Sequence, residues 1–550
     1  MTFDDLELGS ELFEADAWTG TVKRRFVSVV ITTKHLDYLR NQDINFHNYF
    51  GFDRLAIKHF VPDWEPKSAQ DSLVLSQLFN PDRPHRHGLA DWGERLGIPK
   101  PKYDDWAGGL TAEMVRRCVE DVRITKLVFD DMLKEASGWN WGEAVELEYK
   151  IADIMGRQAQ HGVYIDQKKS YDIAEWLWSE VHKIGDKIES DMPHIVRRGI
   201  EYKRQPVCSV SFDPPNINSN AHVKSYLLGK GWKPTQYTEK GSPQITEDSF
   251  DSIGGELGEN LKRRAVLKHR AQIVFNVDKG LLARCRSDGR VEAGAATNGT
   301  NTGRMRHYAP CVNIPKPNDD IPIQIRDLFS APAGKLLMGI DADGLEARMM
   351  AHFVLPFEGG KEYADLVLDG DIHAHNAKIF GTDRNGAKSP YYAIMYGCRP
   401  GKFAETLGKP LEVAEPIYYK FWDESPALAQ FKDAITAQWR KLGGFIVGID
   451  GRKVFIRSEH SIVNAAFQSA GSIVVKKATA LMDGKCRFAG LHAQQVLHFH
   501  DEFTYELDPD ERELVGKFAA ESFKEAGDTL GIRVPVTGTP VFGKTWAEIH

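Results

Sequence analysis

Residues 497–507 read LHFHDEFTYEL, and the reading of this stretch decides the fold. Apolar residues alternate on both sides of a His-Asp-Glu trio, the period-2 pattern of two strands joined by a tight turn. The two-residue crest is then His500-Asp501, with none of the Gly or Asn that relieves such turns. Poor turn chemistry at a crest points to a demand of function. The hairpin is expected to present His500 and Asp501, with Phe499 and Phe503 anchoring its flanks and Glu502 set behind Asp501.

Around this hairpin the chain is an ordinary soluble one. At 550 residues it should hold several domains of roughly 150 residues each. Apolar content of 42% and charged content of 27% exclude a disordered or membrane-spanning composition. The start, MTFDDLELGSELF, lacks the basic and apolar regions of a signal peptide. Apolar runs such as FVSVVI at 26–31 are too short for a bilayer. The 6 cysteines are scattered without a CxxC pair, which suits reduced thiols in a cytoplasmic compartment. The net charge of −7 hides a gradient: residues 193–306 hold 19 Lys and Arg against 11 Asp and Glu, a net +8. Clusters such as LKRRAVLKHR at 261–270 could track phosphates, but charge alone favours a solvated helix face.

Residues 1–135 read as mixed α/β. EAVELEYKIADIMGRQAQHG (143–162) has helical periodicity and stops at Gly162, and a second long helix is expected after Asp166. SFDPPNINSN (211–220) reads as a loop. A second carboxylate group lies in MGIDADGLEARMMAHF (338–353), where LLMGI reads as a strand ending in Asp341 and Asp343. Strand periodicity would point the two together, with a helix after Gly344 carrying Glu346 and Arg348. A strand-end carboxylate beside a hairpin-crest carboxylate is what two magnesium ions need to clamp the oxygens of a phosphoryl transfer. Between them, in DRNGAKSPYYAIMYG (383–397), Arg384, Lys388, Tyr392 and Tyr396 recur every four residues along one helix face. Two cations and then aromatics suit a triphosphate followed by its sugar and base. Pro390 inside that ridge predicts a kink or a helix restart at Ser389-Pro390.

These segments in this order resemble the family A DNA polymerases, the polymerase I superfamily. DADGLEAR looks like motif A, R384-x3-K388-x3-Y392-x3-YG like motif B, and HDE at 500–502 like motif C. TNTGRMR before residue 307, CVNIP (311–315), GDIHAHNAKIFG (370–381), NAAFQSAG (464–471) and the GKTWAEIH end are similar to further segments of that family. DLE at 5–7, HNYFGFD at 47–53 and CVEDV at 118–122 stand where a proofreading exonuclease has its three motifs. The likeness covers essentially the whole chain and is nearest to replicative polymerases of short-tailed bacteriophages.

The resemblance implies an α+β multidomain protein, an RNase H-like α/β exonuclease domain followed by a right-hand polymerase domain. Its boundaries would be exonuclease 1–137, thumb 138–290, first palm part 291–354, fingers 355–460 and second palm part 461–550. It implies a DNA-directed DNA polymerase with a 3′-5′ exonuclease, acting in phage-type replication. Asp341, Asp501 and the Ala342 carbonyl would hold two Mg2+ ions, for which Mn2+ substitutes. Lys388, Arg384 and His373 would hold the triphosphate, Tyr392 would pack on the sugar, and Glu346 would block a ribose 2′-hydroxyl. Arg304, Asn464, Gln468 and His500 would touch primer–template. Asp5, Glu7, Asp53 and Asp121 would hold the exonuclease metals.

Primer–template DNA and dNTPs are the implied partners, together with a phage helicase–primase and a single-strand binding protein. No membrane is involved, and the expected location is the cytoplasm of a bacterial host. Three departures from the family stand out: Arg117 in place of an exonuclease tyrosine, Asp343 in place of a small residue, and Pro390 in motif B. Only 19 residues separate Met192 from Phe212, so no thioredoxin clamp is expected. Rival readings are weaker. GTPVFGKT (538–545) fits a phosphate-binding loop, but only five residues follow it. His373-x-His375 and His498-x-His500 lack a nearby third zinc ligand. A single-subunit RNA polymerase shares the palm carboxylates, but Glu346 and the exonuclease carboxylates speak against it.

Overall fold

The computed structural model describes residues 12–13, 26–27, 33–84, 86–103, 111–198, 210–234, 236–245, 247–308, 310–315 and 324–550. Asp5 and Glu7 lie outside the described residues. The N-terminal part pairs β1 (Asp43–Phe46) with β2 (Ser68–Asp71) in parallel, and a small core forms where Leu75, Leu78 and Trp92 meet Ile124 and Val128 of helix α1 (Ala112–Ala136). The full sheet of an RNase H-like domain is not formed among the described residues.

Helix α2 (Gly142–His161) buries Ala144, Leu147, Ile151, Ile154 and Met155 at the three-to-four spacing of one face. It ends as expected at Gly162, whose φ of 74° favours a residue without Cβ. Asp166 caps helix α3 (Gln167–Ser190) by accepting from the Lys169 backbone N–H at 2.9 Å. The stretch expected as a loop at 211–220 instead begins in a strand. β3 (Ile195–Arg198) and β4 (Val210–Asp213) form an antiparallel pair, and the loop starts only at the prolines after Asp213. Helix α4 (Gly255–Val274) packs along α3, burying Leu177 and Val181 against Leu267 and Val274.

The carboxylate-bearing sheet follows. β5 (Leu336–Asp341) is its apolar central strand, continued by helix α5 (Leu345–Val354) after Gly344, then α6 (Ile372–Phe380) and α7 (Arg384–Met395). A short hairpin of β6 (Phe445–Val447) and β7 (Lys453–Phe455) precedes the long helix α8 (Ile462–Phe488). Then come β8 (Gln494–Phe499), β9 (Glu502–Leu507), helix α9 (Arg512–Thr529) and β10 (Val541–Gly543). The strand order is β8-β9-β5-β10, all antiparallel. Met338, Ile340, Phe503 and Tyr505 of this sheet share one apolar core with Phe523 of α9 and Val474 of α8. The chain is therefore of the α+β class. Among the described residues, no helix is long and apolar enough to cross a membrane.

A buried ionic network ties three distant stretches together. Glu148 on α2 accepts from Lys476 on α8 at 2.6 Å and lies 2.8 Å from Arg452, which also pairs with Asp450 at 2.6 Å. Arg452 donates to the Asn298 side chain at 3.1 Å, so the turn of the β6–β7 hairpin is fixed to the segment that leads to Arg304. Burial opposes ionisation of Glu148, but the charges and hydrogen bonds of Lys476 and Arg452 together lower its pKa, while burial pulls Lys476 down to about 8.

Candidate active site

The turn read from the sequence exists as expected: β8 ends at Phe499, β9 begins at Glu502, and His500-Asp501 is the crest. His500 takes a φ of 50°, supplying the positive dihedral that a primed two-residue turn requires at its first position. Packing holds the strained residue in place. Phe503 stacks on Phe523 at 5.4 Å, and Phe499 is sandwiched between Trp546 at 5.0 Å and His307 at 4.7 Å.

Sheet register places Asp341 opposite Glu502, and the Ala342 N–H donates to the Asp501 carbonyl at 3.1 Å. The strand end and the turn thus bring Asp341 and Asp501 together. Asp341 is open to solvent as a residue, yet its carboxyl is partly walled in. That burial, then the charges of Asp501 and Glu502, push its pKa up to about 6. Glu502 is buried and already engaged: Trp546 Nε1 donates to one oxygen at 2.8 Å, and His550 Nδ1 lies 2.7 Å from the other. It sits behind Asp501, as its place in the sequence suggested. The grip of the C-terminal segment on it carried no sequence signal.

Pairing continues past Asp341 through the Ala342–Gly538 bridge, and Asp343 is engaged by Thr537: its N–H donates to the Thr537 carbonyl and its carboxylate accepts from the Thr537 hydroxyl, each at 2.9 Å. The donor set at the sheet end is hard oxygen carrying uncompensated negative charge, which fits Mg2+.

A cavity of about 250 Å³ opens beside this sheet, lined by Glu346, His373, Arg384, Tyr392, Tyr396 and Asn464, with Met350 and Phe467 at its back. Asp383 caps α7 through the Gly386 N–H at 2.6 Å, and the helix runs unbroken through the buried Pro390. The expected restart is absent, although Pro390 still removes one backbone donor. Arg384 and Tyr392 both line the cavity, and Tyr392 stacks on Tyr396 at 6.3 Å. His373 meets Tyr392 at 5.7 Å, and its pKa is lowered by burial and then by the Lys388 and Arg384 charges.

Helix α7 closes with the Cys398 N–H on the Ala393 carbonyl and the Gly397 N–H on the Ile394 carbonyl, each at 2.9 Å. Gly397 has a φ of 81°, and a Cβ there would overlap the His460 carbonyl oxygen. Gly397→Ala is expected to cost at least about 1–2 kcal/mol from the dihedral alone. The clash adds to this and should shift α7, so the unfolding midpoint should fall relative to wild type.

The remaining residues frame an open face. Asn464 and Gln468, four apart on α8, are half-buried among buried neighbours. Ser472 on the same ridge donates to the Gly303 carbonyl at 2.9 Å and so fixes the residue before Arg304. Arg304 pairs with Glu346 at 3.7 Å, and its charge, after burial, helps lower the His500 pKa. These contacts put Arg304 between the cavity and the crest. Sequence reasoning missed Ser472 and His307.

Of the four N-terminal carboxylates, Asp53 and Asp121 lie among the described residues. Asp53 ends a short helical turn, and burial followed by the Asp71 charge pushes its pKa up to about 7. Asp71 itself is buried and accepts from the Asn48, Phe50 and Leu73 N–H groups, which pins the 47–53 loop. Asp121 is instead held by Lys100 at 2.9 Å, and Arg117 donates to the Tyr103 carbonyl at 3.2 Å.

The rival motifs find no support. In GTPVFGKT, Val541–Gly543 is the edge strand, and the Lys544 ammonium donates to the Lys335 carbonyl at 2.7 Å. His498 is buried against the Thr479 hydroxyl at 3.2 Å. Among the described residues, the cluster with metal-ligand spacing is His492, Asp508 and Glu511, which contains none of the zinc candidates.

Comparison with known proteins agrees with this geometry. The family described as DNA polymerase family A matches residues 193–548. The DNA-directed DNA polymerases of Escherichia phage T7 and Enterobacteria phage T3 are each 25% identical to the chain, across 87% of it and 87% of their own length. That of Escherichia phage Phieco32 is 25% identical across 70% of the chain and 74% of its own. Among solved structures, the POL domain of Pol1 from M. smegmatis, in complex with DNA primer-template and dNTP, superposes with a TM-score of 0.76 at 18% identity. The superposition covers 96% of this chain and 91% of that one, and is a likeness of fold.

Proposed function

Since the chain belongs to DNA polymerase family A, we propose that it extends a DNA primer on a template with dNTPs by two-metal phosphoryl transfer. The observation that carries this reading is the pairing of Asp341 with the Asp501 turn, fixed by strand register and by the Ala342–Asp501 backbone bond. Asp341, Asp501 and the Ala342 carbonyl would hold Mg2+, with Mn2+ as a substitute, and the bound metal would supply activation of the primer 3′-hydroxyl and charge stabilisation at the α-phosphate. Arg384, Lys388 and His373 orient the triphosphate, and Tyr392 packs on its sugar. Arg304, Asn464, Gln468 and His500 hold the primer terminus and template.

Primer extension with deoxy- and ribonucleotides, in wild type and Asp501→Asn, tests the reading. Ribonucleotide-only extension would favour the RNA polymerase rival, and template-free ATP hydrolysis would defeat both. Glu346 lines the cavity beside Tyr396, where it closes the space a 2′-hydroxyl needs. Glu346→Ala should therefore relax discrimination against ribonucleotides by on the order of tenfold or more, read as the ratio of kcat/KM for dNTP and rNTP.

The N-terminal part is proposed as a 3′-5′ proofreading exonuclease using Asp5, Glu7, Asp53 and Asp121. It is slowed by Arg117 in place of the tyrosine and by the Lys100 ammonium on Asp121. Loss of single-strand degradation in Asp121→Ala, against a measurable wild-type rate, checks it. A helicase–primase and a single-strand binding protein are the proposed replication partners. The β3–β4 connection is too short for a thioredoxin clamp, and a longer product per binding event on adding thioredoxin would refute that.

A further inference from the structure

The cavity contains a carboxylate that the proposed chemistry does not use. Asp371 caps α6, accepting the Ala374 N–H at 3.0 Å on one oxygen. Its other oxygen accepts from Arg384 Nε at 2.5 Å, at the first residue of α7. One carboxylate thus joins the N-termini of the two helices that carry His373, Arg384 and Lys388. An anion at this place is unexpected in a pocket meant for a triphosphate, because it offsets positive charge.

The geometry of the bond resolves the conflict. A carboxylate bridging the two Nη donors would occupy an edge of the guanidinium that a phosphate can take. Asp371 takes Nε instead and leaves that edge unused. Arginine carries large rotamer freedom, and an exposed arginine on a helix end samples many directions. A single bond at Nε removes much of that freedom while both Nη groups stay available. The same carboxylate also fixes α6 relative to α7, and so His373 relative to Arg384.

We propose that Asp371 is a positioning residue that aims Arg384 at the outer phosphates of the incoming nucleotide. The proposal rests on the polymerase reading. It acts through Arg384 alone, so its effect vanishes where Arg384 is absent.

Asp371→Asn separates the two duties of the side chain. The amide oxygen still caps α6, whereas the amide NH2 cannot accept from Nε. In steady-state extension the variant should raise the dNTP KM about tenfold, leaving kcat within about twofold, the signature of lost ground-state and transition-state binding alike. The KM for pyrophosphate in the reverse reaction should rise in parallel, and the Kd for primer–template should not move. On the Arg384→Ala background the same substitution should change nothing further. Asp371→Ser, which caps without a charge, serves as a second variant and should match Asp371→Asn. An unchanged or lowered dNTP KM would overturn the proposal and mark Asp371 as a mere competitor. Persistence of the full effect on the Arg384→Ala background would overturn it in favour of a purely structural cap. A wild-type protein that fails to extend any primer would instead defeat the polymerase reading itself.

Discussion

Asp501→Asn should cut templated deoxynucleotide extension by about a thousandfold or more, because metal stabilisation of the transferring phosphoryl group is worth several kcal/mol and each 1.36 kcal/mol is tenfold in rate. The substitution is nearly isosteric and keeps the backbone carbonyl that accepts the Ala342 N–H, so the turn survives. What it removes is one of two carboxylates placed side by side by strand register. The loss should appear in kcat, with primer–template affinity within a few-fold of wild type. Asp341→Asn should behave alike. Glu502→Gln should cost far less, because that side chain is occupied by Trp546 and His550 rather than open to an ion. A residual rate within tenfold of wild type for Asp501→Asn would remove Asp501 from the chemistry.

The hairpin, the strand ending in Asp341 and the helices around Gly162 and Asp166 were legible because each rests on local rules: period-2 alternation, a positive-φ glycine, an N-cap. The crest was legible through its violation of turn chemistry, and His500 does carry the strain. The hold of Thr537 on the Asp343 carboxylate had no sequence signal, because Thr537 comes from a distant segment. Of the kink or restart expected at Pro390, the restart does not occur. A buried helix tolerates one missing backbone bond when its neighbours pack, as Tyr391 does against Met350 at 3.2 Å. Trp546 and His550 on Glu502, Ser472 on Gly303 and the Asp371–Arg384 pair were all invisible. Each joins residues of different structural elements, and one sequence gives no spacing rule for contacts made by tertiary folding.

The same blindness hid the interaction with the largest expected effect on stability. Glu148 and Lys476 are 0% and 1% exposed, with Arg452 at 2% and Asp450 at 5%. Two anions and two cations balance, so the cluster is neutral and nearly all its charge is paired. Glu148→Gln leaves two buried cations facing one anion, and breaking a buried pair in this way costs about 3–5 kcal/mol. The urea unfolding midpoint should fall accordingly. Glu148→Gln combined with Lys476→Met should recover the greater part, because Arg452 and Asp450 remain paired and methionine fills the vacated space with apolar atoms. The coupling is also functional. Arg452 divides its donors between Glu148, Asp450 and Asn298, and Asn298 belongs to the segment that presents Arg304. A guanidinium drawn wholly to Asp450 in the single variant would release Asn298. Primer–template Kd should therefore rise in Glu148→Gln even at temperatures where the protein remains folded, and should return towards wild type in the double variant only if Arg452 regains its bond to Asn298.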